Sequence, residues 1–87
     1  MRTFAYRKDK THTAIKQALE AFGWVVMDVS RAPYVADLIA SRRGRTVAIE
    51  VKAPGQKPKP HQQRWMDRWA GECAVLTSVE QVQELSR

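Results

Sequence analysis

The sequence predicts an α/β domain of order αβββαβα, with a four-stranded mixed sheet flanked by helices and a short C-terminal helix at the end. Three observations predict it. Ala14, Ile15, Ala18, Leu19 and Phe22 recur at helical spacing. Two apolar runs flank the polar stretch Arg42-Arg43-Gly44-Arg45, as in a β-hairpin. A Pro-rich break is then followed by a second helical pattern, a β-branched run and a third helical pattern.

The elements follow in order. The first ten residues read as a polar, basic segment with Phe4 and Tyr6 as anchors. Thr11 or Thr13 is placed to cap the first helix, and Gly23 is placed to end it. Trp24 to Val29 is β-branched and aromatic, and reads as the first strand. Pro33 opens the next segment without needing a ladder N–H. Tyr34 to Ser41 and Thr46 to Lys52 are the hairpin strands, the latter apolar on both faces as an interior strand should be. Residues 53–60 contain three Pro and one Gly and form a loop, and Pro60 suits the first turn of the second helix. Gln62, Trp65, Met66 and Trp69 share one face of that helix, and Gly71 terminates it. Cys73 to Thr77 is a fourth strand, and Ser78 with Gln81 matches a capping box for the last helix.

With 87 residues there is room for one domain, 1–87, and one core. Lys and Arg number 15 against 9 Asp and Glu, a formal charge of +6. That excess favours a polyanionic partner, nucleic acid before an anionic membrane. No apolar run approaches the roughly 18 residues of a spanning helix, and the N-terminus lacks the apolar centre of a signal peptide. A soluble, intracellular protein is expected. Cys73 is the single cysteine, so no intramolecular disulfide forms, and its apolar neighbours suggest a buried structural thiol. His12, His61 and Cys73 lack zinc-ligand spacing.

The chemistry-bearing residues sit on the hairpin. If Arg43-Gly44 is a two-residue loop, Asp37 falls opposite Glu50, and Lys52 shares the face of Glu50. Two carboxylates that close repel each other, and a hard divalent cation between them removes the repulsion. The same three residues could instead form a cross-strand ion-pair cluster on a solvated sheet face. Arg42, Arg43, Arg45, Lys57 and Lys59 are candidate phosphate contacts, or ordinary solvated charges. Trp65 and Trp69 could stack bases, but their helical spacing with Met66 favours core or dimer packing.

Asp37, then Glu50-Val51-Lys52 after a hairpin, with a helix and strand before them, resembles the PD-(D/E)XK nuclease superfamily. More narrowly, the chain looks like a VRR-NUC domain (virus-type replication-repair nuclease) of the stand-alone kind found in phages and bacteria. The likeness runs from about Asp9 to Leu85 and includes Pro60-His61-Gln62-Gln63-Arg64-Trp65 at a helix start. Ala36 stands where the family usually has Pro, and Ala14 where its first helix commonly carries a glutamate.

The resemblance implies a restriction-endonuclease-like αβββαβ core and a phosphodiesterase acting on DNA with Mg²⁺ or Mn²⁺. It makes Asp37 and Glu50 metal ligands, joined by the backbone carbonyl of Val51. It gives Lys52 and Gln62 catalytic roles toward the attacking water and the phosphate. It further implies branched substrates such as flaps or four-way junctions, a homodimer, no membrane, no organic cofactor, and a bacterial or phage-infected cytoplasm. The alternative is a non-catalytic nucleic-acid-binding module of a repair or replication assembly.

Overall fold

The computed structural model describes residues 3–32 and 35–87, with side chains from Lys10 onward. Elements run α1 (Thr3–Ala21), β1 (Val25–Asp28), β2 (Leu38–Arg42), β3 (Arg45–Val51), α2 (Pro60–Arg68), β4 (Glu72–Leu76) and α3 (Val79–Leu85). The order and types match the sequence reading. The sheet is ordered β1-β2-β3-β4, antiparallel across the first three strands and parallel between β3 and β4. It is therefore mixed, and α2 carries the chain across to the parallel strand.

The hairpin register is the predicted one. Arg42 pairs with Arg45 and Leu38 with Ile49, leaving Arg43-Gly44 as the loop. Arg43 has φ 52° and Gly44 φ 81°. Positive φ at both central residues is the type I′ signature, whose twist matches that of the flanking strands.

Helix α1 begins at Thr3, so it takes in most of the segment expected to be a basic extension. Thr11 and Thr13 consequently lie inside a helix and cap nothing. The reason is local: residues 3–13 contain no Pro or Gly, and Ala, Lys and Arg propagate a helix well. The expected Phe4 and Tyr6 anchors, and Pro33 and Tyr34, lie outside the described side chains. The buried stripe of α1 is also shifted. His12, Ile15 and Leu19 are buried, whereas Ala14 and Phe22 face solvent. Gly23, at φ 91°, does end the helix.

The core packs α1 and α3 on one face of the sheet. Ile15 and Leu19 meet Leu38, Ala40, Val47, Ile49, Leu76 and Val82. Residues 47 to 50 of β3 are all buried, as an interior strand requires. Helix α2 lies toward the other face, near Ile39, and contains no fully buried residue. Cys73 is half-buried rather than buried, because β4 is an edge strand.

Helix α3 is not capped as a capping box. Ser78 makes no side-chain cap bond; Gln81 Oε1 instead accepts from the N–H of Thr77, one residue earlier. Its C-terminus is held more firmly. Trp24 Nε1 donates to Ser86 Oγ at 2.9 Å, and that hydroxyl donates to the Val82 carbonyl at 2.7 Å. Arg42 and Arg45 donate to the Ser86 and Leu85 carbonyls, and both guanidiniums lie over the Trp24 ring. Two cations at a helix C-terminus satisfy carbonyls that the helix leaves open. Ser86→Ala should therefore cost about 1–2 kcal/mol, since it strands a buried indole N–H. Thermal unfolding checks this, and an unchanged melting temperature would show that Ser86 carries no part of the closure.

Candidate active site

Asp37 and Glu50 reach the same cavity from adjacent strands. Asp37 lies just before β2 rather than inside it. Its N–H donates to the Ile49 carbonyl at 3.0 Å, and its Oδ2 accepts from the Val51 N–H at 2.9 Å. One carboxylate oxygen is thus tied to the backbone of β3, which fixes the side chain beside Glu50. Glu50 alternates with the core residue Ile49 and projects to the α2 face of the sheet. Lys52 follows two residues later, its Nζ 3.9 Å from Glu50 Oε2. The cavity has a volume of about 820 Å³, and Asp37, Glu50, Lys52, Lys59, Gln62 and His12 are in its wall.

The electrostatics are those of an unbalanced buried carboxylate. Glu50 is only 2% exposed. Burial pushes its carboxyl up to about 7, the Asp37 charge adds to this, and Lys52 opposes it. The Trp65 indole N–H also favours the ionised form, although it is buried short of hydrogen-bond geometry with any partner. An ion pair on a solvated face does not produce this shift; the alternative of a surface salt-bridge cluster does not describe a residue this buried.

These residues fit a hard divalent cation. Two carboxylates converge, one of them raised by the other, and oxygen donors suit Mg²⁺ or Mn²⁺. Among the described residues no third Asp, Glu, His or Cys completes a cluster. The remaining positions would fall to backbone carbonyl and water.

Other predicted residues are distributed differently. Gln62 is in the cavity wall, but its Oε1 accepts from the Lys59 N–H at 2.8 Å and so caps α2. Only its amide NH₂ remains to face the cavity. Lys59 lines the same cavity, and Lys57 lies two residues away on the exposed loop. Arg42, Arg43 and Arg45 are at the opposite end of β3. Arg45 is five residues from Glu50, about 17 Å along a strand. Arg45 also pairs with Glu72, which raises the guanidinium and lowers the carboxylate, while Arg43 is exposed at the tip.

Two contributors were missed by sequence reasoning. Lys10 and His12 come from α1 and line the cavity. His12 is 5% exposed, with Nε2 3.7 Å from Asp28 Oδ2 and no hydrogen-bond partner for that nitrogen. Its signal was available: His12 continues the Ile15–Leu19 stripe one turn earlier. Taking Thr11 or Thr13 as the cap hid it.

The α/β order, the mixed sheet and the paired carboxylates on a hairpin define a restriction-endonuclease-like domain. No family model matches the sequence, and no curated protein is significantly similar. Among solved structures the chain is similar to one described as a VRR_NUC domain. The TM-score is 0.73 at 29% identity, covering 87% of this chain and 89% of that one. The VRR-NUC resemblance read from Asp37, Glu50-Val51-Lys52 and the helix after Pro60 therefore stands.

The raised Glu50 carboxyl predicts a pH dependence. Between about pH 4.5 and 7 the folded chain keeps a proton that the unfolded chain has released. Stability of the metal-free protein should fall as pH rises through that window, by up to about 3 kcal/mol. Glu50→Gln should flatten the profile, and added Mg²⁺ should restore stability to the wild type near pH 7.5. Denaturant unfolding at pH 5 and pH 7.5 tests this; parallel profiles for the two proteins would rule out Glu50 as the source.

Proposed function

We propose that the chain is a divalent-metal-dependent DNA endonuclease that hydrolyses phosphodiester bonds at the Asp37–Glu50–Lys52 cavity. The observation that carries this reading is the junction of two carboxylates and an ammonium in one cavity of a VRR-NUC-like fold. That fold supports a nuclease of the PD-(D/E)XK type. A purely DNA-binding module would have no reason to bury Glu50 beside Asp37 at such cost, particularly where phosphate must approach.

Asp37 and Glu50 would hold Mg²⁺ or Mn²⁺ with the Val51 carbonyl. A cation held there supplies a nucleophilic water at neutral pH and offsets charge on the phosphoryl oxygens. Asp37, anchored through Val51 N–H, keeps its second oxygen in place without reorganisation. Lys52, with its side chain only 12% exposed, orients the attacking water and meets charge that grows on the phosphate. The Gln62 amide is presented at the start of α2, where a helix N-terminus favours an anion.

Lys59 and Lys10 line the cavity, and with Lys57 on the exposed loop two residues from Lys59 they take the flanking phosphates. Arg42 and Arg45 serve α3 first, and Arg43 reaches DNA only on substrates that extend to the hairpin tip. Branched DNA, flaps or four-way junctions, is the proposed substrate class. A homodimer is the proposed assembly, because Val25 and Met27 are 69% and 61% exposed on edge strand β1. A cytoplasmic location agrees with this activity. No described helix is long and apolar enough to cross a membrane.

Asp37→Asn and Glu50→Gln should each abolish cleavage in Mg²⁺ or Mn²⁺ while DNA binding is kept or improved, since each removes a ligand and a negative charge. Cleavage of a panel of linear, flap and four-way-junction DNAs is the measurement. Full activity in either variant takes that residue off the catalytic list.

Lys52→Ala should lower single-turnover cleavage by on the order of 10²-fold or more at saturating DNA, with little change in binding. Lys57→Ala should weaken binding and make its salt dependence shallower by about 0.9 in slope, with near-normal cleavage at saturation. If Lys52→Ala cleaves normally once DNA saturates, Lys52 is only another phosphate contact.

A further inference from the structure

Two tryptophans that the core does not use stand at the end of α2: Trp65 on the helix, and Trp69, which follows its last residue in extended conformation rather than continuing the helical face. No residue of the helix is fully buried, and Trp69 is 41% exposed. Beside it lies a groove of about 590 Å³, formed by Val29, Ala36, Ile39, Trp65, Arg68 and Trp69. Trp65 and Trp69 meet edge to face, centroids 6.1 Å apart and planes at 89°, so they form two walls at a right angle. The Trp69 ring is held in place by its own N–H, which donates to the Glu72 carbonyl at 3.0 Å. A ring fixed before binding loses little freedom on contact.

The groove opens onto a polar recess that shares Trp65 and Arg68 with it and adds Arg64, His61 and Asp67. Asp67 is occupied by the Gln63 amide at 2.9 Å. Arg64 and Arg68 are exposed cations on the rim. The groove and the cavity of the carboxylates share no wall residue, but they are close neighbours on the same side of the sheet. Ala36 is the residue before Asp37, and the indole of Trp65 reaches the Glu50 side.

We infer that this groove is a subsite for one unpaired nucleotide beside the scissile phosphate, with its base against Trp69 and Trp65 and its phosphate toward Arg68. The inference rests on the reading of the chain as a DNA nuclease and narrows its substrate to DNA with an unpaired nucleotide at the cut. Aromatic faces take any base, so the subsite reads single-strandedness rather than sequence. Charge favours this occupant over a second copy of the chain. A two-fold contact through the groove would set Arg64 and Arg68 against their own copies, whereas a polyanion is attracted to them.

The test measures binding without divalent metal, so it does not depend on cleavage. A duplex with a single-stranded tail carries 2-aminopurine at its first unpaired position; a blunt duplex of equal length is the control. Wild-type protein should quench the probe. Trp69→Ala should lose the quench and weaken the tailed duplex on the order of ten-fold, with the blunt duplex changed less than two-fold. Trp69→Phe should retain most of both, and Arg68→Glu should weaken the tailed duplex preferentially. Equal losses on both duplexes, or no loss on either, overturn the subsite. So does sedimentation showing a wild-type dimer that Trp69→Ala or Arg68→Glu dissociates, which would put a second copy in the groove. If the wild-type protein cleaves none of the DNAs with Mg²⁺ or Mn²⁺ while the tail-specific loss is seen, the nuclease reading fails and the nucleotide subsite survives it.

Discussion

Arg43 and Gly44 turn the chain in two residues, both at positive φ, and everything at the opposite end of the hairpin follows from that count. Side chains alternate along a strand, so one residue more in the loop would set Asp37 opposite Val51, on the face of Ile49 rather than that of Glu50. With two, Leu38 and Ile49 pair inward against α1, and Asp37 and Glu50 are left together on the other face. The same register buries four consecutive residues of β3 between its neighbours. The core and the site are two readouts of one turn.

That arrangement has a cost, and the cost is local. Glu50 is almost completely removed from water, next to a second carboxylate, and its proton is held up to about pH 7. Lys52 and the Trp65 indole oppose the shift without cancelling it. A fold selected for stability alone would place an apolar residue here, as it does at Val47 and Ile49. A dication bound there would resolve the conflict, since it would be attracted by both carboxylates where they repel each other most.

Positive charge is divided between two ends of the molecule with different duties. At the hairpin tip Arg42 and Arg45 close α3 over Trp24 and are consumed by carbonyls and by Glu72. Around the cavity, Lys10 of α1, Lys52 just after β3 and Lys59 of the Pro-rich loop line the wall that holds the carboxylates. An 87-residue domain has little interior to spend, so planar guanidiniums serve as packing and as caps where they lie over an indole. Arginine count alone therefore overstates the surface available to a polyanion.

The order of elements, the turn and the meeting of Asp37, Glu50 and Lys52 were legible in the sequence, because they rest on period, Gly placement and strand alternation within about sixteen residues. Gln62 at the cavity was legible too, from its place at a helix start. Its use as a cap was not, since Lys59 stands at the N-cap where a capping box is announced by Ser, Thr, Asp or Asn. The start of α1 was misread because a Thr before an apolar stripe imitates a cap, while residues 3–10 carry no stop signal. That error hid Lys10 and His12, which reach the site from a helix far from it in sequence. Arg42 and Arg45 bind carbonyls some forty residues later, and no local pattern announces such a contact. What the sequence determined was what neighbours in the chain decide by steric and periodic rules. What the tertiary structure alone decided was which distant groups share a desolvated space, because burial and charge coupling depend on packing between elements rather than on order along the chain.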